Sequence, residues 1–182
     1  MSPGNSRGHS LKYALPMATD SPDARADRLE HRVPNYADPP YGSRYGKTLK
    51  PFHRTGSLLI LSGLTPEDRD GKVFHPGRLG DGLSVEQGYA AARKTAINAL
   101  GLIRLAVGSL DHVLASVQAV GYVTSTADFD RHNEVGEGVS DVLAEVFGEA
   151  GASTRANLGV TSLARGNCFE LLLTVELRPG TP

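Results

Sequence analysis

The C-terminal residues 168–177 alternate between two kinds of side chain, and this pattern constrains the fold more than any other stretch of the sequence. Side chains at every second position of a strand share a face, so one face of this segment is entirely apolar. The apolar face consists of Phe169, Leu171, Leu173, Val175 and Leu177. The opposite face consists of Cys168, Glu170, Leu172, Thr174 and Glu176. We therefore expect a strand with its apolar face on a core.

Two charged residues, Arg155 and Glu170, bracket this otherwise apolar end of the chain. Residues 154–160, a turn at 164–167 and the strand after it predict a β-hairpin. A two-residue loop places both charges on one face, and a three-residue loop reverses that placement. In either two-residue register the charges lie roughly 20 Å or more apart. A single site that uses both would join this hairpin to another copy of the chain, or would need a broken ladder.

Two amphipathic helices are predicted upstream of the hairpin. Ser84 with Gln87 three residues later matches a capping box, and apolar residues keep helical spacing from Tyr89 to Gly108. In residues 135–147, apolar side chains recur at intervals of three and four. Each helix therefore has one apolar face available for packing.

Three further strands complete the predicted order. The apolar residues 57–61 indicate a buried strand, and after a turn at 67–71 residues 72–74 indicate a short returning strand. Residues 113–124 are rich in β-branched and small side chains, which predicts a central strand that is interrupted or bulged near Gly121. The order strand, strand, helix, strand, helix, strand, strand predicts an α+β fold, a mixed β-sheet with two helices packed on one face.

The chain divides into an extension and one domain. Residues 1–50 contain several prolines and no sustained apolar period, which is typical of an N-terminal extension that is flexible or wrapped around a domain. Residues 51–182 form the predicted single domain, because 182 residues with 40% apolar content fit one core.

Composition narrows the function classes. The 19 Lys and Arg residues nearly balance the 20 Asp and Glu residues, so no large single-sign field attracts nucleic acid or an anionic membrane. No apolar run approaches the length of a membrane span. The single cysteine permits no internal disulfide, and the six histidines lack metal-ligand spacing. We expect a cytoplasmic protein with no metal, no cofactor, and no nucleic-acid or membrane partner.

A set of residues resembles, in order and spacing, the Rid family of YjgF-like reactive-intermediate deaminases. The resemblance covers about residues 56–177 and is that of a divergent branch. The set consists of Ser62, Gly63 and Pro66, then Glu86, Gln87, Ala92, Asn98 and Leu100, then Asp128, Phe129 and Asn133, and finally Arg155 and Glu170. The resemblance implies a YjgF-like, chorismate-mutase-like fold that forms homotrimers with ligand clefts between subunits.

The same resemblance implies hydrolytic deamination of a small reactive imine or enamine derived from an amino acid, giving a 2-keto acid and ammonia. Arg155 would hold the substrate carboxylate with its planar fork of donors. Glu170 would orient the attacking water. Ser62 and Gly63 would line the pocket, with Asn133 near it.

Two positions depart from the family pattern. Alignment on Gly56 puts Leu49 where many relatives carry a pocket tyrosine, and Asn157 where deaminases often have cysteine. Tyr41 or Tyr45 is the candidate replacement for the tyrosine. These departures leave a second function open, that of a non-catalytic trimeric binding protein for a small carboxylated metabolite.

Each candidate residue also has a purely structural interpretation. In that interpretation Arg155 would be a surface arginine or an ion-pair partner of Glu176, and Glu170 would belong to a solvated strand face. Asn133 caps the second helix. Cys168 is a small packed residue.

Overall fold

The structure is a computed structural model that describes residues 20–38, 41–42 and 48–182. Its first helix is short and precedes all the strands. In chain order the helices and strands are α1 (Pro22–Ala26), β1 (Phe52–Thr55), β2 (Leu58–Leu61), β3 (Arg78–Leu79), β4 (Gly82–Leu83), α2 (Val85–Val107), β5 (Val113–Thr124), α3 (His132–Phe147), β6 (Thr154–Val160) and β7 (Phe169–Leu177). Tyr45 and, with it, residues 1–19, 39–40 and 43–47 of the predicted extension lie outside the described residues.

Helix α2 begins and ends where the sequence predicts. The Gln87 backbone N–H donates to Ser84 Oγ at 3.2 Å, and the Ser84 N–H donates to Gln87 Oε1 at 2.9 Å, which completes the capping box. Gly108 ends the helix with a φ of 80°, a left-handed conformation that glycine adopts without steric cost. Both predicted helices are confirmed.

Five strands form a mixed sheet in the order β1-β2-β7-β5-β6. Strand β5 runs parallel to β6 and antiparallel to β7, so it is the central strand that the sequence predicts. Helix α3 connects β5 to β6, because two parallel neighbours need a crossover connection. The predicted α+β fold, a mixed sheet with helices on one face, is confirmed.

The predicted C-terminal hairpin is wrong. Strands β6 and β7 do not pair with each other, because β5 lies between them and pairs with both. Residues 161–168 therefore cross the end of β5 instead of forming a tight turn. The physical reason is non-local: the parallel β5-α3-β6 unit fixes where β6 lies, whatever the local turn signal.

Smaller differences concern strand boundaries and bulges. Residues 72–74 form no strand, and Val73 makes only an isolated bridge to Glu67. The returning strand is instead β1, which precedes β2. Strand β5 has its irregularities between Val113 and Ala115 and between Ser116 and Gln118, rather than near Gly121.

The two faces of the sheet differ in what covers them. Helices α2 and α3 pack on the face that carries the odd-numbered residues of β7, and this face forms the core. The other face, which we call the open face, carries the even-numbered residues of β7. Three large apolar side chains there remain substantially exposed, namely Ile60 (42%), Leu158 (47%) and Leu172 (40%).

Residues 20–38, which we call the strap, lie across the outer surface of the helices. Arg104 of α2 pairs with Asp23 at 2.7 Å, and Arg93 pairs with Glu30 at 2.6 Å. Pro34 passes so close to Gly101 that a Cβ at Gly101 would lie 2.5 Å from the Pro34 carbonyl oxygen. Within the described ranges, no helix has the length and apolar content that crossing a membrane requires.

Candidate functional site

A break in the pairing between β2 and β7 positions the Glu170 side chain. From the Ile60/Thr174 pair to the Leu64/Leu171 bridge, the first strand advances four residues and the second three. One extra residue is therefore accommodated as a β-bulge at the end of β2. The bulge includes Gly63, and a Cβ placed there would overlap Glu170 Oε1. The absent side chain is what makes room for the carboxylate.

The carboxylate of Glu170 is partly buried on the open face. Burial raises its pKa above the ordinary value for glutamate, because desolvation disfavours the charged form. Leu172 is its apolar neighbour on the same strand face. Among the residues that the structure describes, none forms a hydrogen bond or an ion pair with this carboxylate. Its oxygens are available to water or to a ligand.

Tyr41 reaches this site from the segment before β1. Its hydroxyl donates a hydrogen bond of 2.7 Å to the Gly63 carbonyl oxygen. Its ring packs edge to face against Tyr36, with the ring centroids 5.2 Å apart. The side chain of Leu49 lies next to Gly42, where a Cβ would be 2.8 Å from Leu49 Cδ2. Of the two tyrosines suggested by the sequence, Tyr41 therefore lies beside the glutamate.

Ser62 also lies in the bulge, but backbone groups of the preceding segment engage it. Its N–H donates to the Pro51 carbonyl at 3.0 Å, and its hydroxyl donates to the Lys50 carbonyl. The hydroxyl oxygen keeps its acceptor capacity. We call Tyr41, Ser62, Gly63 and Glu170 the open-face cluster.

Arg155 lies in a different environment, on the helix-covered side of edge strand β6. It is level with the buried Ala119 of β5. Its guanidinium donates to Glu137 Oε1 at 2.5 Å and to Ser140 Oγ at 2.7 Å, both on α3. The hydrogen bond that Arg155 donates to the Glu137 carboxylate raises the pKa of Arg155. The suggested ion pair with Glu176 is wrong, because Glu176 lies on the opposite face.

Asn157 lies two residues further along β6 on the same side as Arg155. Its amide donates to Asn133 Oδ1 at 3.3 Å. It is packed so tightly that a Cβ at Gly121 would lie 2.6 Å from its Oδ1. Asn133 does not cap α3, since the cap position is Arg131. We call Arg155, Asn157, Asn133, Glu137 and Ser140 the edge cluster.

The predicted site residues thus divide between two faces of one sheet. Arg155 is level with Ala119 and Glu170 is level with Tyr122, with strand β5 between them. Two strand spacings across and three residues along give a backbone separation of roughly 14 Å. The same-face placement expected from a two-residue loop is wrong. No single chain brings the two charged groups into one pocket.

The Cys168 thiol and candidate metal-binding side chains are the other groups that could take part in a reaction. Cys168 is fully buried, and burial raises the pKa of its thiol to about 11, so the thiol is protonated near neutral pH. Its interpretation as a packed residue is confirmed. A search of the described part of the chain gives no group of three or more His, Cys, Asp or Glu side chains that could hold a metal ion.

Sequence reasoning missed the partners of Arg155. Glu137 and Ser140 lie three residues apart on α3, which places them on one side of that helix. That spacing was visible in the sequence. Their contact with Arg155 depends on the β5-α3-β6 crossover, which the predicted hairpin did not include.

The fold is that of a mixed sheet backed by two helices, and comparisons with known proteins identify its family. The family model described as "YjgF/chorismate_mutase-like, putative endoribonuclease" matches residues 39–172. The chain belongs to this YjgF-like family, as its sequence resemblance to the Rid proteins predicts.

Three relatives illustrate how far the likeness extends. Protein TCP17 of Trypanosoma cruzi is 36% identical over 124 residues, which are 68% of this chain and 77% of that protein. The crystal structure of Atu1372 from Agrobacterium tumefaciens, a protein of unknown function, matches with a TM-score of 0.76 and 28% identity over 87% of this chain and 92% of the other. The crystal structure of a putative endoribonuclease from Shewanella oneidensis matches with a TM-score of 0.78 and 27% identity, over 86% of this chain and 99% of the other.

Proposed function

We propose that the protein hydrolyses a small reactive imine or enamine derived from an amino acid, releasing ammonia and a 2-keto acid. Membership of the YjgF-like family supports this reaction class. The observation that carries the proposal is the Glu170 carboxylate, which lies against Gly63 in a bulge, is partly buried and has a raised pKa. A carboxylate with those properties suits a general base, whose efficiency improves as its pKa approaches the working pH.

In this mechanism Glu170 accepts a proton from a water molecule as the water oxygen attacks the imine carbon. The C=N bond becomes a C–N single bond, and the nitrogen takes up a proton. Glu170 supplies that proton, and on collapse of this tetrahedral adduct it carries the hydroxyl proton to the nitrogen as well. The C=O bond forms, the C–N bond breaks, ammonia leaves and the Glu170 carboxylate is regenerated. Imines hydrolyse readily, so orientation and one positioned base suffice and no covalent intermediate with the protein is needed.

Arg155 is the proposed anchor for the substrate carboxylate. Its guanidinium is only partly covered by Glu137 and Ser140, and its planar donors suit a bidentate contact with a carboxylate. Because Glu170 lies on the other face of the same sheet, one site would combine Arg155 of one subunit with Glu170 of another. Asn133 and Asn157 would line the Arg155 side, and Ser62 and Gly63 the Glu170 side.

A homotrimer is the assembly that we propose for such shared sites, as the Rid resemblance implies. Support comes from the open face, where Ile60 of β2, Leu172 of β7 and Leu158 of β6 each expose 40–47% of their surfaces. Large apolar side chains that remain exposed on one sheet face are typical of a surface that contacts another protein. Burial of that face between subunits would also enclose Glu170.

The test generates 2-iminobutyrate or 2-iminopropionate in situ and follows its decay with and without the protein. We expect acceleration by the wild type and its loss in Glu170→Gln. If the wild type binds the corresponding 2-keto acid without accelerating decay, the second function, a non-catalytic binding protein for a carboxylated metabolite, replaces the first. The departures Leu49 and Asn157 are what favour that second function.

The family description and the name of the Shewanella oneidensis protein mention an endoribonuclease. Our proposal for this chain includes no nucleic-acid substrate, since its formal net charge of −1 offers no basic surface field. RNA cleavage by the purified wild type that Glu170→Gln abolishes would contradict the proposed reaction.

A further inference from the structure

A groove of ≈ 460 Å³ lies between the strap, helix α2 and the residues that follow β2. That volume is within the range of small-molecule sites in proteins. None of its lining residues is a candidate residue of the open-face or edge cluster. Among the described residues, the ionisable side chains that line it, apart from Glu67, are His31, Arg32, Asp38, Asp68, Arg69 and Lys94.

The floor of the groove contains a buried ammonium group. Lys94 is only 9% exposed, and its Nζ lies 2.8 Å from Asp68 Oδ1. An ammonium group has three N–H donors. Within the described ranges, Asp68 is the one acceptor that pairs with it. Because unsatisfied buried donors are costly, the remaining N–H groups favour an acceptor that occupies the groove.

One turn further along α2, the floor contains a buried acceptor. Asn98 is 3% exposed, and its amide nitrogen donates to the Thr65 and Glu67 carbonyls, each at 2.9 Å. These two bonds use both amide N–H groups and leave the Oδ1 atom facing no donor among the described residues. Residues four apart on a helix are neighbours, so Lys94 and Asn98 present a donor and an acceptor side by side.

We propose that this groove binds a small zwitterion of the free α-amino acid class. The ligand carboxylate accepts from the Lys94 ammonium, and the ligand ammonium donates to Asn98 Oδ1. At the rim, Arg32 lies on the strap with no ion-pair partner among the described residues, and it supplements the carboxylate contact. Asp38, exposed at the same rim, supplements the ammonium contact.

The donor and the acceptor that α2 presents favour a zwitterion over a simple anion or cation. Arg69, the third cation of the lining, lies over the Tyr36 ring, 4.6 Å from its centroid. The carboxylate of Glu67 is turned away to Arg165 and Asn167, with Asn167 Nδ2 at 2.6 Å, and does not act on the groove. Burial, and after it the Lys94 charge, lowers the pKa of His31, so this ring is neutral near pH 7. Only a ligand with both charges gives charge-assisted hydrogen bonds to both the Lys94 ammonium and Asn98 Oδ1.

The strap forms one wall of the groove, so binding should order it. His31, Val33 and Asn35 line the groove from the strap side. A ligand that contacts both walls links the strap to α2, and the link adds to the ion pairs that already hold it there. Amide hydrogen exchange in residues 31–38 should therefore slow when the groove is occupied.

The binding test compares L-serine with its two single-charge analogues, 3-hydroxypropionate and ethanolamine, by isothermal titration calorimetry on the full chain. We expect L-serine to bind with a Kd below about 10 mM and each analogue to bind at least about tenfold more weakly. Equal affinity for 3-hydroxypropionate would overturn the zwitterion, and absence of L-serine binding at that concentration would overturn the site.

Variants locate the binding and separate it from the proposed catalytic site. We expect Lys94→Met to abolish L-serine binding, and the surface changes Arg32→Gln and Asp38→Asn to weaken it about three- to tenfold without affecting folding. Asp130→Asn, an exposed carboxylate before α3, is the matched control and should bind like the wild type. Loss of binding in Arg155→Ala but not in Lys94→Met would assign the ligand to the edge cluster and overturn the groove.

Discussion

The edge cluster and the open-face cluster each contain one charged candidate residue, and the two differ in whether that residue has hydrogen-bond partners within the chain. In the edge cluster, Arg155 is engaged by Glu137 and Ser140, and Asn157 by Asn133. In the open-face cluster, the Glu170 carboxylate has a bulge and an absent Cβ that make room for it, yet no described residue pairs with it. The first cluster is internally satisfied within one chain, and the second is not. Glu170 is therefore the stronger candidate for a direct role in the reaction. Arg155 is the candidate for substrate binding, and a substrate carboxylate there competes with Glu137 for the guanidinium.

The largest effect is expected from a substitution of Glu170 in the open-face cluster. Glu170→Gln removes the proposed base but keeps the size of the side chain. We expect the rate of imine hydrolysis to fall by about 10²-fold or more, the usual contribution of a positioned base. The matched control is Glu176→Gln, on the same strand and the same face, where the carboxylate accepts a hydrogen bond of 3.3 Å from Ser57 Oγ. An equal loss of hydrolysis rate in both variants would mean that activity depends on negative charge anywhere on this sheet face and not on Glu170 in particular.

The next effect concerns the space beside Glu170. In Gly63→Ala the new methyl group would displace the carboxylate oxygen, so we expect activity to fall about tenfold while the fold is retained. Gly63→Ala should add little to Glu170→Gln, because both changes act on one group. Initial rates of the two single variants and the double variant measure this. Additive losses would show that Gly63 acts independently of the glutamate.

For the edge cluster we expect an effect of comparable size, but as a rise in KM rather than a fall in kcat. Arg155→Ala should raise KM about tenfold, since a bidentate carboxylate contact is removed. Its stability cost should stay below about 1 kcal/mol, because Arg155 and Glu137 are both partly exposed. Arg131→Ala, which breaks the exposed pair with Glu134, serves as the control with unchanged KM. A fall in kcat alone would contradict the anchoring role.

The smallest effect is a pH dependence of stability. Because burial raises the pKa of Glu170, the folded state binds its proton more tightly than the unfolded state does. The charged carboxylate therefore costs stability at pH 7, and this cost disappears as the pH falls through the folded pKa towards 4.5. Glu170→Gln should be more stable than the wild type at pH 7 and equal to it near pH 4. Urea unfolding at both values checks this, and a less stable variant at pH 7 would contradict the sign.

Much of the fold could be predicted because its signals are local. The capping box at Ser84 and the left-handed Gly108 define α2, and the alternation in residues 169–177 correctly assigns the core and open faces of β7. The pairing of β6 could not be read in the same way. A turn signal at 164–167 is local, whereas the crossover that places β5 between β6 and β7 depends on how α3 packs.

The candidate site was predictable in its residues but not in its arrangement. Ser62, Gly63 and Glu170 do come together, because adjacent strands carry them. The contact of Tyr41 with Gly63 depends on the path of a segment without periodic sequence, so the sequence could only name it beside Tyr45. The division between the two faces follows from one intervening strand, which no spacing between Arg155 and Glu170 reveals.

The most direct test of shared sites is subunit complementation. Arg155→Ala and Glu170→Gln chains are each assayed for imine hydrolysis at a subsaturating substrate concentration, and then mixed equally, unfolded and refolded together. If each site takes Arg155 from one subunit and Glu170 from another, about a quarter of the sites regain both groups, and the mixture is more active than either variant alone. A mixture no more active than the average of the two separate variants would contradict the account.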